Sequence, residues 1–527
     1  MSHLNAGLSR RRFLRQSALG AATIGAVGAA GCSSGTTSSG SSASDKPPTP
    51  RHGGTLEVSV SDSSSSDKLN PIVLVDSHDI MSGALIYDTL TRIDLNFNVS
   101  PGLAVSWEPN ADASVWRFKL RRGVTFHDGK PFTSEDVVWT LQQDVDPKGQ
   151  ATGLPEWLAI LHPSGIKALG PYEVQFTLLR PNYVLPQLLA NFYVFIAQKG
   201  NTNWTKPPGT GPFVANEFQP GAFFYATRNP HYWDGNLPYL DGVRLVDVPD
   251  QSTKVQTVTS GTAQLGDTME PSQIPLVLAS PSAELLTAPG GYCTLIAWHG
   301  NTAPFNDPRV RKALKLLINR EQIVKNVYLG HAQAGLDVVI PPSDPLYPHG
   351  MQPPPYDPDQ AKFLLKQAGQ ENLSFDLWTS QVFPGFTEVP VFYKETAAAG
   401  GVTVNIQTAS PQTYYSQDDQ IKTVFMDAWL RQNTLALPPL VYTPGGIYDE
   451  TRVEDPRIPK LFAEAAATND LVVRKQKVAD AIQLVQAEST NVVPCWTDFI
   501  WPKKKVLQGI QPSWSTLVTF TTAYLTT

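Results

Sequence analysis

Cysteine and charged residues are both scarce in this chain. It has three cysteines in 527 residues and no Cys-x-x-Cys pair, which excludes zinc ribbons and thioredoxin-like redox motifs. Cys293 and Cys495 fit either a disulfide or two separately buried thiols. Charged residues are 17% of the chain and the formal net charge is −6, so a nucleic-acid partner held by a basic surface is disfavoured.

Catalytic motifs are missing from the residues after 51. That part contains no Gly-x-Ser-x-Gly elbow, no His-Glu-x-x-His and no Gly-x-Gly-x-x-Gly fingerprint, so the usual signatures of serine hydrolases, zinc proteases and dinucleotide-binding enzymes are excluded. The nine histidines are scattered, and we expect neither a metal nor a cofactor. His127-Asp128 is open to two interpretations, an acid/base dyad or the polar part of a Gly-Lys-Pro turn.

The first 31 residues have the composition of an export signal. An arginine cluster is followed by an uncharged stretch over 17–30, which is shorter than the roughly 20 apolar residues that span a bilayer. Arg10 and Arg11, followed by Phe-Leu, resemble a twin-arginine signal. We therefore expect export of the folded chain.

A lipid anchor is the prediction for the next segment. Ala29-Ala30-Gly31-Cys32 resembles a lipobox, which implies cleavage before Cys32 and lipidation of its thiol. The alternative is an ordinary cleaved signal with an incidental cysteine. Residues 32–51 would then form a Ser/Gly-rich tether between the lipid and the body of the protein.

The body of the chain alternates between strand and helix patterns. Gly53 to Val60 and Trp116 to Leu120 alternate apolar and polar residues, as half-buried strands do. Thr133, Asp307 and Asp357 are N-cap signals before apolar stripes of helical spacing. Strands and helices are intermixed throughout, which predicts an α/β fold.

A set of short runs, in a fixed order, resembles the family 5 extracytoplasmic solute-binding proteins of ABC importers, the dipeptide and oligopeptide type. The likeness covers almost the whole chain beyond the tether. The runs include Gly53 to Leu56, Pro101 to Ala104, Trp116 to Val124, Phe126 to Pro131, Gly209 to Phe213, Arg228 to Pro230 and Asn306 to Leu314.

The resemblance implies a fold and its boundaries. The fold would be the two-lobed, type II periplasmic-binding-protein (Venus-flytrap) fold, with two crossing segments and the ligand between the lobes. The first lobe would comprise 52–290, with an extra subdomain at about 93–205, and would also receive the returning tail 497–527. The second lobe would comprise 291–496.

The resemblance also locates a ligand site. In peptide-binding members, a strand that ends in Trp is followed three positions later by an Asp that pairs with the ligand's α-amino group. Trp429 matches the Trp, but Gln432 stands in place of the Asp. Burying an ammonium without an anionic partner is costly, so a free-amine peptide is in doubt unless a nearby acid supplies the charge; the candidates are Asp418, Asp419 and Asp427.

The residues around Gln432 suggest a neutral, aromatic wall. Asn433, Tyr414 and Tyr415 would join Gln432 and Trp429 there, which suits a blocked or polyhydroxylated ligand. The two tyrosines are equally consistent with capping a helix. Trp157 and Trp378 are further candidates by family analogy.

The expected function is reversible capture of a solute and its delivery to a permease. The predicted solute is an oligopeptide, with an oligosaccharide or another amine-free solute as the alternative; the competing class is an extracytoplasmic hydrolase, which predicts turnover. The expected partners are the permease and ATPase subunits of an ABC importer. We expect a monomer on the extracytoplasmic face of the cell membrane, in the periplasmic space if the cell has two membranes, and we expect no catalytic residues.

Overall fold

A computed structural model describes residues 49–61, 63–74, 77–146, 148, 158–411, 413–446, 448–452, 455–488, 491–513 and 517–526. Within these ranges, no helix combines the length and apolarity needed to cross a membrane.

The strands are β1 (Thr55–Val60), β2 (Thr91–Ile93), β3 (Val99–Pro101), β4 (Ala104–Pro109), β5 (Val115–Leu120), β6 (Leu161–Gly170), β7 (Glu173–Leu178), β8 (Phe213–Gln219), β9 (Phe223–Arg228), β10 (Gly242–Asp247), β11 (Leu265–Gly266), β12 (Ala283–Trp298), β13 (Ala332–Ala334), β14 (Ser374–Thr379), β15 (Thr403–Thr408), β16 (Val424–Leu430), β17 (Asn491–Lys504), β18 (Leu507–Gln508), β19 (Gln511–Pro512), β20 (Val518–Thr519) and β21 (Tyr524–Leu525).

The helices follow the same intermixed order that the sequence predicts. They are α1 (Ser77–Ile86), α2 (Ser134–Asp144), α3 (Leu185–Leu188), α4 (Gln251–Ser260), α5 (Ile274–Leu278), α6 (Pro308–Leu316), α7 (Arg320–Asn326), α8 (Pro358–Gln367), α9 (Glu388–Ala398), α10 (Tyr414–Gln417), α11 (Leu437–Val441), α12 (Arg457–Ala466) and α13 (Leu471–Glu488), with 3-10 turns at Pro71–Val73 and Pro271–Gln273. The α/β prediction is confirmed.

One large mixed sheet runs through the molecule and has two halves. Its order is β15-β14-β16-β12-β17-β11-β1-β10-β9-β8, and β13 pairs with β17. The first half is built from β1 and β8 to β11, and the second from β14 to β16. Strands β12 and β17 belong to both halves and are 16 and 14 residues long. The molecule is therefore two-lobed, with two strands as the crossing segments.

The predicted lobe boundaries fall inside these two strands. The breaks at 290/291 and 496/497 lie in β12 and β17 respectively. After β17 the chain stays with the first lobe, where Tyr524 makes an edge contact with Tyr239 at 6.1 Å between ring centroids. We keep these boundaries as proposed ones.

A separate four-stranded antiparallel sheet lies inside the first lobe, with the order β4-β5-β7-β6. Helix α2 precedes β6 and β7 and contacts both. This helix begins as its capping signal predicts, because the Thr133 N–H donates to Asp136 Oδ2 at 2.8 Å. This sheet lies within the range 93–205 that we propose for a subdomain.

Helix caps read from the sequence are confirmed in the second lobe as well. Asp307 caps α6 by accepting from the N–H of Arg309, and Asp357 caps α8 by accepting from the N–H of Gln360. Gly369 follows α8 with φ of 67°, a left-handed conformation that ends a helix readily at glycine.

Helix α1 ends at Ile86, although helix-like apolar spacing continues in the sequence to Leu90. The N–H of Gly211 donates to the Ile86 carbonyl at 2.8 Å. This bond from the 209–211 loop takes the acceptor that another helical turn would use.

Candidate functional site

The pairing of β12 and β17 is interrupted where the lobes meet. The register breaks between Ala288 and Tyr292, so three residues of β12 lie opposite one residue of β17. Within this bulge, Gly290 has φ of 63°, and its N–H donates to Asp498 Oδ1 at 3.2 Å. A side chain on Gly291 would overlap a phenylalanine ring of β17. Because bulges and glycines bend easily, we expect lobe motion to be centred here.

Three consecutive residues after β16, which we call the interlobe bridge (431–433), cross from the second lobe to the first. Arg431 Nη2 donates to the Leu95 carbonyl at 2.6 Å, and the guanidinium lies 4.6 Å from the ring centre of Phe97. Only 2% of Arg431 is exposed. Burial lowers the pKa of its guanidinium to about 10, although the negative charges of Asp344 and Asp94 act to raise it. This arginine is held mainly by a carbonyl and an aromatic ring of the first lobe.

The other two residues of the bridge make neutral hydrogen bonds. Asn191 Nδ2 donates to Gln432 Oε1 at 3.4 Å, and Asn433 Nδ2 donates to Gln187 Oε1 at 2.9 Å. Gln432 is buried and Asn433 is half-buried. Amides of the two lobes therefore pair with each other at Gln432 and Asn433.

A cavity of about 280 Å³, which we call the interlobe cavity, lies beside β12, because its lining residue Phe383 makes an edge contact with Tyr292 at 5.0 Å between ring centroids. Its walls come from the first lobe at 270–272 and from the second lobe at 326–329 and 381–392. The lining residues are Glu270, Pro271, Ser272, Asn326, Val327, Tyr328, Leu329, Gln381, Phe383, Pro384, Gly385, Thr387, Glu388 and Phe392.

One wall of this cavity depends on glycine. Gly385 has φ of 89°, and a Cβ there would lie 2.2 Å from the Tyr328 hydroxyl oxygen. That hydroxyl is within 3.0 Å of Thr294 Oγ1 on β12. The wall therefore packs directly against a strand that joins the two lobes.

The charge in the interlobe cavity is acidic. Burial raises the pKa of Glu270, the nearby Glu388 adds to this shift, and Lys254 opposes it. The ammonium of Lys254 is itself paired with Asp267 inside the first lobe. Glu388 is the first residue of α9.

The predicted aromatic residue Trp429 lies within the second lobe, next to the bridge. Its Nε1–H donates to Glu450 Oε1 at 2.7 Å, and its ring makes an edge contact with Tyr448. Gln432 and Asn433, as described above, face the first lobe.

The two tyrosines belong to helix α10. Tyr414 is fully buried, and its hydroxyl donates to the Met426 carbonyl on β16 at 2.6 Å. Tyr415 is buried beside it, with an edge contact at 5.4 Å between ring centroids. The contacts of Tyr414 are those of a residue that packs the second lobe.

Trp378 lies on β14, with Lys422 Nζ 4.1 Å from its ring centre. Trp157, the lipidation residue Cys32 and the export residues Arg10 and Arg11 lie outside the described residues.

The three alternative acids are already engaged. Asp418 Oδ1 is 3.6 Å from Lys422 Nζ, and Asp427, which is fully buried, accepts from the N–H of Ala428 at 2.7 Å. Asp419 is also buried. None of them lines the interlobe cavity.

The dyad interpretation of His127-Asp128 is wrong. His127 Nε2 is 3.0 Å from the Gly211 carbonyl, and Nδ1 accepts from the Gly209 N–H at 3.2 Å. Both ring nitrogens therefore hold a backbone loop, and burial lowers the pKa of His127 to about 4. The turn interpretation is the correct one.

The two cysteines of the body are separate, buried thiols. Cys293 is opposite Trp496, and Thr294 is opposite Cys495. Adjacent residues of a strand point to opposite faces of the sheet, so the two thiols lie on opposite faces. Burial raises the pKa of Cys495 to about 12.

One cluster in the first lobe has the composition of a metal site. Asp67, His78 and Asp79 each place a ligand atom within 4.8 Å of the others. Asp67 Oδ2 also accepts from Ser63 Oγ at 2.6 Å and lies 3.2 Å from His78 Nδ1. These bonds attach the 63–67 loop to α1, and nothing beyond them assigns a metal here.

Sequence reasoning missed the acids of the cavity and the first-lobe partners of the bridge. Glu270 and Glu388 come from different lobes, and no spacing rule connects them. Asn191 and Gln432 are 241 positions apart. Arg431 directly precedes Gln432 and directly follows the buried strand β16. This position of a charged residue was a sequence signal for a functional role that we did not use.

Known proteins resemble this chain in sequence and in fold. The model of "Bacterial extracellular solute-binding proteins, family 5 Middle" matches residues 98–444. The glutathione-binding protein GsiB of Escherichia coli O1:K1 is 27% identical over 467 residues, which cover 84% of this chain and 87% of GsiB.

Two solved structures show the same fold. The periplasmic binding protein DppA of Helicobacter pylori, in complex with the peptide STSA, has a TM-score of 0.76 at 23% identity and covers 90% of this chain and 98% of its own. HbpA2 of Haemophilus parasuis has a TM-score of 0.78 at 23% identity, with coverage of 90% and 100%. With a family model matched over well more than half of its length, this chain belongs to the bacterial extracellular solute-binding proteins, family 5.

Proposed function

We propose that this protein is the solute-binding component of an ABC importer, and that it captures an oligopeptide-type solute between its lobes without altering it. The observation that carries this proposal is the interlobe cavity, which is lined by both lobes and whose residue Phe383 contacts Tyr292 at the end of the bulge in β12. Solute sites commonly lie at such interfaces, and a guest that binds both walls favours the closed form.

The names of similar proteins support a peptide-like solute. GsiB is named for glutathione, and DppA was solved with the peptide STSA. These relatives are binding proteins, which supports capture over catalysis. The competing hydrolase would consume its ligand, so an intact ligand after long incubation separates the two.

An amine-free solute is the second candidate. It is favoured by the amide of Gln432, which pairs with Asn191 where the family's peptide binders have an acid. A similar fold, AgaA of A. tumefaciens R10, was solved with agropinic acid, at 22% identity and a TM-score of 0.74 over 90% of this chain and 99% of its own.

The remaining site and targeting assignments are proposals too. For the ligand site they comprise Trp429, Gln432, Asn433, Tyr414, Tyr415, Trp157 and Trp378. For targeting, Arg10 and Arg11 would direct twin-arginine export and Cys32 would carry the lipid. The mature protein would be a monomer on the extracytoplasmic face of the cell membrane, working with a permease and ATPase.

Calorimetry with free peptides, N-blocked peptides and oligosaccharides tests the function. We expect saturable binding of one class and recovery of the unaltered compound. Absence of binding across the panel, or recovery of cleaved material, would contradict the proposal. Secretion that is unchanged after Arg10→Lys and Arg11→Lys would reject the twin-arginine assignment.

A further inference from the structure

The bulge in β12 comprises three residues, 289–291, which lie opposite Asp498 alone on β17. The paired register resumes at Tyr292 and Thr497. The backbone N–H of Asp498 donates to the His331 carbonyl in the second lobe at 3.0 Å, so it points away from the bulge. The backbone ladder between the two strands that join the lobes is therefore interrupted at this point.

The Asp498 side chain takes the place of the missing ladder bond. Its Oδ1 accepts from the N–H of Gly290 at 3.2 Å. The next residue, Gly291, accepts at its carbonyl from the N–H of Arg431 at 2.7 Å. This second bond continues the pairing of β12 with β16, and Arg431 begins the interlobe bridge. Asp498 is thus connected to the bridge through two consecutive residues of the bulge.

The second lobe packs against the other side of the bulge. Ser343 Oγ donates to the Pro289 carbonyl at 3.1 Å, and a Cβ on Gly290 would lie 2.8 Å from that hydroxyl oxygen. His331 Nδ1 lies 4.0 Å from Asp498 Oδ2, so the second lobe also positions the carboxylate. Gly290 is therefore held between Asp498 on one side and the segment of Ser343 on the other.

A side-chain acceptor differs from a ladder acceptor in two ways that suit a moving joint. A hydrogen bond from an N–H to a carboxylate is stronger than one between neutral groups. An aspartate can also release its donor by rotating about its own side-chain bonds, whereas a ladder acceptor moves only with its strand. The bond between Asp498 and Gly290 can therefore be strong in one lobe arrangement and absent in another, without a shift of strand register.

We propose that Asp498 is a hinge latch: its carboxylate holds the β12 bulge in the conformation in which Gly291 bonds to the bridge, and lobe opening releases Gly290. The inference goes beyond the proposed function, because it assigns a positioning residue for the lobe motion and depends on no particular solute. Gly290 has φ of 63°, and glycine has many alternative conformations of similar energy. The latch selects one of them and so sets the open–closed balance that a solute has to shift.

Hydrogen exchange measured by mass spectrometry on the purified full chain, without added solute, tests the latch. In Asp498→Ala, the amides of segments 290–293 and 431–433 should exchange about tenfold to hundredfold faster than in the wild type, because a charge-assisted hydrogen bond is lost. Asp498→Asn keeps a neutral acceptor, so its exchange rates should be intermediate. Exchange in β5 and β14, which lie within the two lobes, should not change.

The matched control is Asp376→Ala, because Asp376 is an exposed aspartate on β14 of the second lobe. Its exchange rates at the bulge and the bridge should equal those of the wild type. Small-angle X-ray scattering gives a second measurement of the lobe arrangement. Asp498→Ala should have a larger radius of gyration than the wild type and Asp376→Ala, since release of the latch favours the open form.

Three results would overturn the inference. They are unchanged exchange of 431–433 in Asp498→Ala, exchange that rises equally in β5 and β14, and an effect of the same size in Asp376→Ala. If Asp498→Ala fails to fold, Asp498→Asn and the wild type decide, because exchange of 290–293 in the wild type at the rate of an unstructured peptide would also overturn it. No solute is used, so failure of the latch leaves the proposed function intact, and absence of solute binding leaves the latch intact.

Discussion

Two regions connect the lobes, and they differ in how their polar groups are satisfied. In the interlobe bridge, Gln432 and Asn433 already have amide partners on the first lobe, and Arg431 has a carbonyl and a ring. The interlobe cavity has Glu270 and Glu388 among its lining residues, and no lysine or arginine lines it within the part of the chain that the structure describes. The polar groups of the bridge are thus paired within the protein, whereas the cavity is open to a solute.

This difference separates two contributions to closure. A neutral hydrogen bond contributes roughly 1 kcal/mol net, so the bridge favours the closed form modestly, whatever the solute. A ligand shifts the balance only by its differential affinity for the two forms, so we expect the specificity of closure to depend on a solute that contacts both walls of the cavity.

The largest effect is expected from a change in the cavity wall. Gly385→Ala places a Cβ 2.2 Å from the Tyr328 hydroxyl oxygen at a φ of 89°. Overpacking and backbone strain should lower the free energy of unfolding by about 2–4 kcal/mol, as measured by urea denaturation. Gly350→Ala is the control, because no atom lies within 4 Å of a Cβ there. Equal urea midpoints for the two variants would show that the wall is not tightly packed.

A smaller effect is expected from the bridge. Arg431→Ala removes the bond to the Leu95 carbonyl and the contact with Phe97, so the closed form is weakened and the Kd for trialanine should rise about tenfold. Arg474→Ala is the matched control. Burial also lowers the pKa of Arg474, but its guanidinium donates to carbonyls within the second lobe. Equal losses of affinity in the two variants would refute a closing role for the bridge.

The smallest effect concerns pH. Burial and the neighbouring Glu388 raise the folded-state pKa of Glu270 above 4.5, and the positive charge of Lys254 partly lowers it again. The folded state therefore binds the proton of Glu270 more tightly than the unfolded state does. The resulting contribution to the free energy of unfolding is fully present below pH 4.5 and is lost as pH rises through the raised pKa. Glu270→Gln should gain about 1–2 °C in Tm relative to the wild type between pH 4.5 and 7.5. A pH-independent difference in Tm between the two proteins would contradict the charge assignment.

Much of the fold could be predicted from the sequence because its signals are local. The caps at Thr133, Asp307 and Asp357 are set by residues within three positions of each other, and the alternation over 53–60 is a property of one strand. The two-lobed arrangement came from the ordered family runs.

The site could be predicted only in part. The sequence marked Gln432 as a departure from the family pattern and placed Asn433 beside it, but their partners in the first lobe depend on how the lobes meet. The interlobe cavity joins side chains from distant segments, and its acidity is invisible to any motif. Tyr414 was a candidate for the ligand site, but its contacts pack the second lobe. The sequence pattern around an aromatic residue on a short helix is the same whether the residue packs a core or lines a cleft.

Mass spectrometry of the solute released from the purified protein tests the central claim most directly. The account predicts an intact small molecule, released by denaturation and recovered unaltered after prolonged incubation with fresh protein. Recovery of a cleaved or otherwise altered product would contradict it.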